Sequence, residues 1–256
     1  MLPGAFHLGP LTFNWYGLMV ASAFLLGIWT AIRRGRREPL APELFYDLIP
    51  WLVGGAIVGA RAFYVVSYWR ESFAQAPLWH VVAVWHGGLV YYGGLLGAAA
   101  AVIFYARWKK LPLWALADAL APSIALGQVL GRIGCFLNGC CYGRPTALPW
   151  AVVYPQEHET HGLAAVHPTQ LYEALLNLAL FVILEWLHAR RRFRGQVFAV
   201  YLVAYAGLRS LVELFRGDYP RLVAGWVTPA HWVSLLMLAA GVLLLVKLPR
   251  TNPQRP

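Results

Sequence analysis

Long apolar segments, separated by short polar connectors, repeat along most of the chain. Runs of roughly 18–23 mostly apolar residues follow one another through the 256 residues, and each could cross a bilayer core of about 30 Å. Because lipid cannot satisfy the backbone of an open sheet, such segments must be helical. We therefore expect an all-α, polytopic integral membrane protein with a single helical domain over residues 1–256.

The charge content favours a membrane protein over a nucleic-acid binder. Hydrophobic residues make up 59% of the chain and charged residues 12%, which is about half the charged fraction of an ordinary soluble domain. The net charge is +10, but the basic residues lie in short clusters between the apolar runs. We expect membrane lipids around the protein and no nucleic-acid partner.

Seven segments are expected to span the membrane. They cover approximately residues 13–32, 44–68, 113–133, 167–190, 196–215 and 231–248, together with a third segment that is entered through residues 86–94 and ends before Arg107. A further short piece, 79–85, could form a partial or re-entrant helix. An outer polar loop is expected at about 134–168.

The basic clusters predict the orientation of these spans. Clusters follow the first, third, fifth and seventh segments, so they fall on one side of the membrane and hold roughly two-thirds of the Lys and Arg residues. That side is expected to be cytoplasmic, because short cytoplasmic connectors carry the excess of Lys and Arg. The amino terminus then lies outside and the carboxyl terminus inside.

Charged residues within apolar spans indicate a candidate site, because charge is costly to bury in lipid. Arg209 and Glu213 are four residues apart, so they share one helix face and form either a structural ion pair or part of a polar cavity. Arg61 and Arg132 lie in or at the end of other spans. Three guanidinium groups in one bundle predict binding of a phosphate, such as that of a lipid headgroup.

All three cysteines occur in one polar stretch after the fourth span. Cys135 could pair with Cys140 or Cys141 in a disulfide, one thiol could be a nucleophile, or the three could bind metal. His158 and His161 are nearby, but no Cys-x-x-Cys spacing is present. We therefore expect no metal ion.

Several motifs occur together in one order along the chain. They are Trp15-Tyr16-Gly17, Gly59-Ala60-Arg61, Gly131-Arg132 through Gly143, His167 through Glu173, and Tyr205 through Arg216. This set resembles the bacterial prolipoprotein diacylglyceryl transferase family, from about residue 13 to the end of the seventh span. The resemblance implies seven transmembrane helices, an external amino terminus, and no metal or soluble cofactor.

The resemblance also implies a reaction. The family moves the diacylglyceryl group of phosphatidylglycerol onto the thiol of the lipobox cysteine in a preprolipoprotein, and it releases glycerol phosphate. The expected partners are therefore phosphatidylglycerol and the lipobox segment. The expected location is the bacterial plasma (inner) membrane, which the chain crosses several times, with the active site facing outward.

Candidate site residues follow from the resemblance together with the charges above. The catalytic candidates are Arg132, Arg209, Glu213, Tyr92 and Tyr16. The substrate-binding candidates are Arg61, Asn138, Gly143, His167, Tyr205, Cys135, Cys140 and His86.

This sequence departs from the usual motif at three positions. Cys135 and Cys140 replace the usual Asn and Glu, and Tyr92 replaces the His that is the usual candidate for the base. Since Tyr has a reference pKa near 10, it is a poor base at neutral pH. We expect Tyr92, His86 or His167 to take the proton of the acceptor thiol.

Two alternatives remain open. The first is an enzyme on the same scaffold that uses a different acceptor, or one that uses Cys135 or Cys140 as a covalent relay. The second is a lipid-binding or redox-sensing membrane protein without catalytic activity.

Overall fold

Seven α-helices make up most of the part of the chain that the structure describes. The computed structural model describes residues 4–8, 11–74, 77–155, 164–217 and 228–251. The helices are α1 (Trp15–Gly35), α2 (Glu43–Ser67), α3 (Tyr91–Trp108), α4 (Leu113–Asn138), α5 (Thr169–Arg190), α6 (Gln196–Glu213) and α7 (Pro229–Thr251). The strands β1 (Gly4–Leu8) and β2 (Leu11–Asn14) form an antiparallel hairpin before α1.

The helical architecture confirms the predicted all-α membrane class. Within the described residues, five helices are long and apolar enough to cross a bilayer: α1, α2, α4, α5 and α7. The small hairpin before α1 was not predicted. The count of seven crossings and the orientation of the termini stay predictions.

The helix α4 extends five residues beyond the end that the sequence predicted, so the polar loop begins at Gly139 rather than at residue 134. Gly139 has a φ of 83° and ends the helix in a Schellman motif. In this motif the Gly139 N–H donates to the Phe136 carbonyl at 3.2 Å, and the Cys140 N–H donates to the Cys135 carbonyl at 3.1 Å. The helix therefore continues until a residue can adopt a left-handed conformation.

The segment considered as a re-entrant helix forms only short 3₁₀ turns. These turns cover Leu78–Val81 and Val84–His86. Gly87 and Gly88 follow with φ of 81° and 72°, which end the second turn before the chain enters α3.

The chain divides into two compact units. The first contains residues 1–34 and 117–256, with α1, most of α4 and α5 to α7; the second contains residues 35–116, with α2 and α3. Helices α4, α5 and α6 form the buried core of the first unit. Its buried members are Ala121, Ala125, Leu180, Leu184, Val197 and Tyr201.

A buried carboxylate fixes the start of α6 against α4. Asp118 accepts hydrogen bonds from the N–H groups of Gly195 at 2.7 Å and Phe198 at 3.0 Å. Its side chain is fully buried, and these two donors belong to the amino-terminal turn of α6, whose N–H groups have no partner within the helix. Asp118 is therefore a structural cap at one end of the bundle.

In the second unit, glycines let the backbones of α2 and α3 come into direct contact. A Cβ atom on Gly59 would lie 2.3 Å from the Gly93 carbonyl oxygen, and one on Gly55 would lie 2.7 Å from that of Gly97. Larger residues would force the helices apart. Close packing between small residues is a common interface of membrane helices.

Candidate functional site

An ion-pair network joins three helices of the first unit. The Arg132 Nη2 atom on α4 lies 2.9 Å from Glu173 Oε1 on α5. On α6, Arg209 Nη1 lies 3.7 Å from the other oxygen of Glu173, and Arg209 Nη2 lies 2.6 Å from Glu213 Oε2. The two arginines predicted as catalytic are therefore held beside a single carboxylate.

The network continues from Glu213 toward α7. Arg216 Nε lies 3.9 Å from Glu213 Oε2, and the Thr228 hydroxyl donates to Glu213 Oε1 at 2.8 Å. The Thr228 N–H in turn donates to His231 Nδ1 at 3.2 Å. Residues on both sides of Glu213 thus fix its orientation.

The network combines full burial of its carboxylates with partial exposure of two guanidinium groups. Glu173 and Glu213 are 1% and 3% exposed, whereas the side chains of Arg132 and Arg209 are 16% and 13% exposed. With Arg216, three positive groups face two negative ones, so the network carries one excess positive charge. An anion that approached Arg132 and Arg209 would be attracted and could receive charge-assisted hydrogen bonds.

Backbone hydrogen bonds tie the loop after α4 to the ends of α5 and α6. The Gly143 N–H donates to the His167 carbonyl at 2.9 Å, and the Arg144 N–H donates to the Phe215 carbonyl at 2.9 Å. A Cβ atom on Gly143 would lie 2.5 Å from His167 Cβ and 2.8 Å from Thr169 Cγ2. The close approach of these segments therefore requires glycine at position 143.

Side chains at the start of α5 hold the two cysteines that follow α4. Gln170 Nε2 donates to the Cys140 carbonyl at 2.7 Å and to the Tyr154 hydroxyl at 2.9 Å. The Thr169 hydroxyl donates to the Cys141 carbonyl at 2.8 Å. Burial raises the pKa of Tyr154, because the apolar surroundings disfavour the phenolate.

The three cysteines come together at the end of α4. Their Sγ atoms all lie within 4.8 Å of one another, and all three are free, half-buried thiols, so neither of the considered disulfides is formed in the structure. Hydrogen bonds from Cys135 and Cys140 lower the pKa of the Cys141 thiol, and the charges of Arg216 and Arg132 lower it further. The pair His158 and His161 lies outside the described residues.

Three other predicted residues of the first unit lie around α4. A Cβ atom on Gly134 would lie 3.2 Å from Tyr16 Cδ2, so Tyr16 at the start of α1 packs beside this helix. Tyr205 on α6 lies close enough to the Arg132 guanidinium to interact with it electrostatically. Asn138 is the exposed last residue of α4.

The imidazole of His167 lies in an aromatic cluster near the start of α5. Its Nδ1 atom is 3.1 Å from the Tyr172 hydroxyl, which also accepts a hydrogen bond from Trp150 Nε1 at 2.7 Å. The centroid of the His167 ring lies 5.4 Å from that of Phe215. His167 therefore has a fixed ring position, and its main chain binds Gly143.

The guanidinium of Arg61, in the second unit, binds backbone carbonyl groups. It donates to Val81 at 2.9 Å, to Gly87 at 2.7 Å, to Gly88 at 3.1 Å and also to His80. These bonds hold the segment between α2 and α3. The expected place of Arg61 in a headgroup pocket with Arg132 and Arg209 stays a prediction.

The two proton-accepting candidates in the second unit differ in their surroundings. The ring of His86 contacts those of Trp79, His80 and Trp85. Tyr92 is the second residue of α3 and is 39% exposed.

The sequence was also compared with those of known proteins. The profile of the family described as "Prolipoprotein diacylglyceryl transferase" matches residues 3–247. The chain belongs to this family. Three relatives carry the name phosphatidylglycerol–prolipoprotein diacylglyceryl transferase. They come from Synechococcus elongatus (41% identity; 95% of this chain and 86% of the relative), Solidesulfovibrio magneticus (40%; 96% and 94%) and Bordetella avium (38%; 99% and 97%). The family predicted from the motifs is confirmed.

The motif of the diacylglyceryl transferase family raises the question of which carboxylate pairs with Arg132. The family motif usually places Glu where this chain has Cys140, so the chain lacks a negative charge in the segment after Arg132. The structure gives Arg132 a carboxylate partner from α5, Glu173, at 2.9 Å. Arg132 therefore remains paired despite the substitution.

Sequence reasoning did not assign roles to Glu173 or Arg216, although both lie in the quoted motifs. Glu173 carries a charge at the start of an apolar span, which is the signal that drew attention to Arg209 and Glu213. Arg216 lies just beyond α6 and outside the predicted span 196–215. The contact of Glu173 with Arg209 and that of Arg216 with Glu213 are visible only in the folded chain.

Proposed function

We propose that the protein transfers the diacylglyceryl group of phosphatidylglycerol to the thiol of the lipobox cysteine in a preprolipoprotein. Its membership of the family and the names of its relatives support this reaction. The acceptor sulfur attacks the glyceryl carbon that bears the phosphate, and a C–S bond forms as the C–O bond to phosphate breaks. Glycerol phosphate leaves, and a base takes the thiol proton.

In this proposal, Arg132 and Arg209 bind the lipid phosphate. The phosphate carries one negative charge as a diester and gains a second as it leaves as a monoester. Guanidinium groups placed beside it therefore stabilise the transition state more than the bound substrate. Glu173 is the observation that carries the proposal, because it holds both arginines at the same place.

The proton of the acceptor thiol requires a base near neutral pH. Tyr92, His86 and His167 are the candidates, and the reference pKa of either histidine suits the task better than that of tyrosine. Of the two histidines, His167 lies in the same compact unit as Arg132 and Arg209. Its ring is positioned by Tyr172, and its main chain is bonded to Gly143 of the motif. We assign the proton to His167, and the roles of Tyr92 and His86 stay predictions from the sequence.

The site is proposed to face the outer side of the bacterial plasma membrane. The basic clusters after the first, third, fifth and seventh helices support this orientation, since short connectors rich in Lys and Arg remain in the cytoplasm. An outward site meets preprolipoproteins as they emerge from the membrane.

The experiment is a transfer assay with purified protein, phosphatidylglycerol vesicles and a peptide that contains a lipobox cysteine. Mass spectrometry should show one diacylglyceryl group on the peptide thiol, with one glycerol phosphate released per transfer. Arg132→Ala should lower kcat/KM by at least about 10²-fold, because it removes a phosphate ligand. The control Arg33→Ala removes an exposed guanidinium from α1 and should leave transfer unchanged.

Each of the following results would contradict a different part of the proposal. An unmodified peptide with intact phosphatidylglycerol would exclude this acceptor, and turnover of the lipid without peptide modification would indicate another acceptor. Full activity of Arg132→Ala would exclude the phosphate-binding role. A diacylglyceryl adduct on Cys135 or Cys140 would favour the covalent relay.

A further inference from the structure

The convergence of the three cysteines results from the way that α4 ends. Cys135 lies in the last turn of the helix, and the Schellman motif at Gly139 brings the next two residues back toward it. Cys141 has a backbone φ of 63°, which is unusual for a residue other than glycine. The local backbone thus places three Sγ atoms within 4.8 Å of one another.

We propose that Cys135, Cys140 and Cys141 together bind one thiophilic d¹⁰ metal ion, Zn²⁺ or Cu⁺. Three sulfur atoms at about 2.3 Å from a central ion lie about 3.8–4.0 Å apart in tetrahedral or trigonal geometry. The observed separations, up to 4.8 Å, are close enough to reach this arrangement by small side-chain rotations. Soft thiolate ligands select these metals over Mg²⁺ or Ca²⁺.

The surroundings of the cluster fit this assignment. On binding, the three thiols release their protons to solvent, so a Zn²⁺ site would carry a net charge of −1 and a Cu⁺ site −2. Arg132 and Arg216 both act electrostatically on Cys141 and offset this charge. Gln170 and Thr169 fix the carbonyl groups of Cys140 and Cys141, so the ligand positions are held in advance.

The proposal revises the expectation from sequence that no metal is bound. That expectation depended on the absence of Cys-x-x-Cys, a spacing that places two sulfur atoms on one ion. Here the end of α4 brings the sulfur atoms together, because the Schellman motif folds residues 140 and 141 back toward Cys135. Among the described residues, these cysteines are the one group of three metal-ligating side chains found together.

The metal site does not depend on which acceptor the enzyme uses, although it shares Arg132 with the proposed phosphate site. Zn²⁺ would keep a fourth position for water, whereas Cu⁺ would be three-coordinate. Either ion would link the last turn of α4 to the loop that follows it. This segment contains Asn138.

The test uses the full chain in detergent, reduced with a phosphine and freed of metal. Zn²⁺ and Cu⁺ are titrated separately against a chromophoric chelator of known affinity, Cu⁺ without oxygen. We expect one ion per chain and X-ray absorption that shows three sulfur neighbours at about 2.3 Å.

Cys135→Ser, Cys140→Ser and Cys141→Ser should each weaken binding at least about 100-fold, since loss of a second-shell partner alone costs 10–100-fold. His80→Asn, which removes an imidazole from the second unit, should bind as the unchanged protein does.

A second measurement covers the case in which a serine variant fails to fold. Bound metal should protect the three thiols of the unchanged protein from alkylation by N-ethylmaleimide, and a strong chelator should restore their reactivity. Failure to bind either ion while all three thiols are titratable would overturn the proposal. Binding with only nitrogen or oxygen neighbours, or binding equally strong in the serine variants, would also overturn it.

Discussion

Glu173 is the carboxylate that places two arginines at one site, and Glu173→Gln removes its charge while nearly keeping its shape. At an effective dielectric constant of about 20, its attraction to Arg132 at 2.9 Å and to Arg209 at 3.7 Å is about 5 kcal/mol for each pair. The cost of burying Glu173 offsets several kcal/mol of this attraction. Removing one partner of a buried pair leaves the others uncompensated, so we expect a net loss of about 3–5 kcal/mol in the free energy of unfolding.

The substitution should also impair transfer, because Arg132 and Arg209 would repel each other without the shared carboxylate. A displacement of about 1 Å can cost about 10²-fold in rate, and we expect a loss of this size in kcat/KM. Chemical unfolding in detergent measures the stability, and the lipobox-peptide assay measures the rate. The control is Glu43→Gln, an exposed change at the start of α2, which should alter stability by less than about 0.5 kcal/mol.

A double-mutant cycle separates the ion pair from other effects of the change. Glu173→Gln and Arg209→Gln should show a coupling energy of at least about 1 kcal/mol, because the two side chains are in contact. If Glu173→Gln unfolds and turns over as the unchanged protein does, the shared carboxylate does not organise the site, and the reasoning is wrong.

Two further predictions concern the frame around the site. Gly143→Ala should destabilise the protein by about 1–3 kcal/mol and reduce transfer, because the added Cβ atom would overlap His167. The control is Gly127→Ala, whose added Cβ atom would have no neighbour within 4 Å. In the same unfolding and transfer assays this control should be neutral or stabilising. Asp118→Asn should lower the unfolding free energy by about 3 kcal/mol through weaker hydrogen bonds to α6, while KM for phosphatidylglycerol stays unchanged. Asp118 lies about 21 Å along α4 from Arg132, so a large rise in KM would contradict its purely structural role.

The sequence predicts the helices well because membrane-length apolar runs have few alternatives to helix. Their ends are harder to predict, as α4 illustrates. The polar composition after Ile133 suggested a loop, but polarity does not end a helix while its backbone bonds can continue. The helix ends where Gly139 adopts a positive φ.

Part of the candidate site could be predicted from residue types and sequence motifs. The cost of charge in lipid indicated Arg209 and Glu213, and the family motifs indicated Arg132. Their connection through Glu173 joins positions 41 residues apart in the chain, from Arg132 on α4 to α5. No periodic pattern contains that contact, because it depends on how α4, α5 and α6 pack.

Arg61 shows a second limit of sequence reasoning. Its position in an apolar span predicted an anion site, which stays a prediction, and the structure adds that its guanidinium donates to carbonyl groups of the segment between α2 and α3. A buried guanidinium can satisfy its charge with backbone oxygens as well as with a ligand, and residue type does not distinguish the two. Only the folded position of the 3₁₀ turns shows which partners are present.

Capture of the lipid phosphate by Arg132 and Arg209 is the central claim, and an experimental structure with bound phosphatidylglycerol tests it most directly. We predict phosphate oxygens within about 3 Å of both guanidinium groups, with Glu173 still in contact with at least one of them. A phosphate bound elsewhere in the protein, with Arg132 and Arg209 both remote from it, would contradict the account.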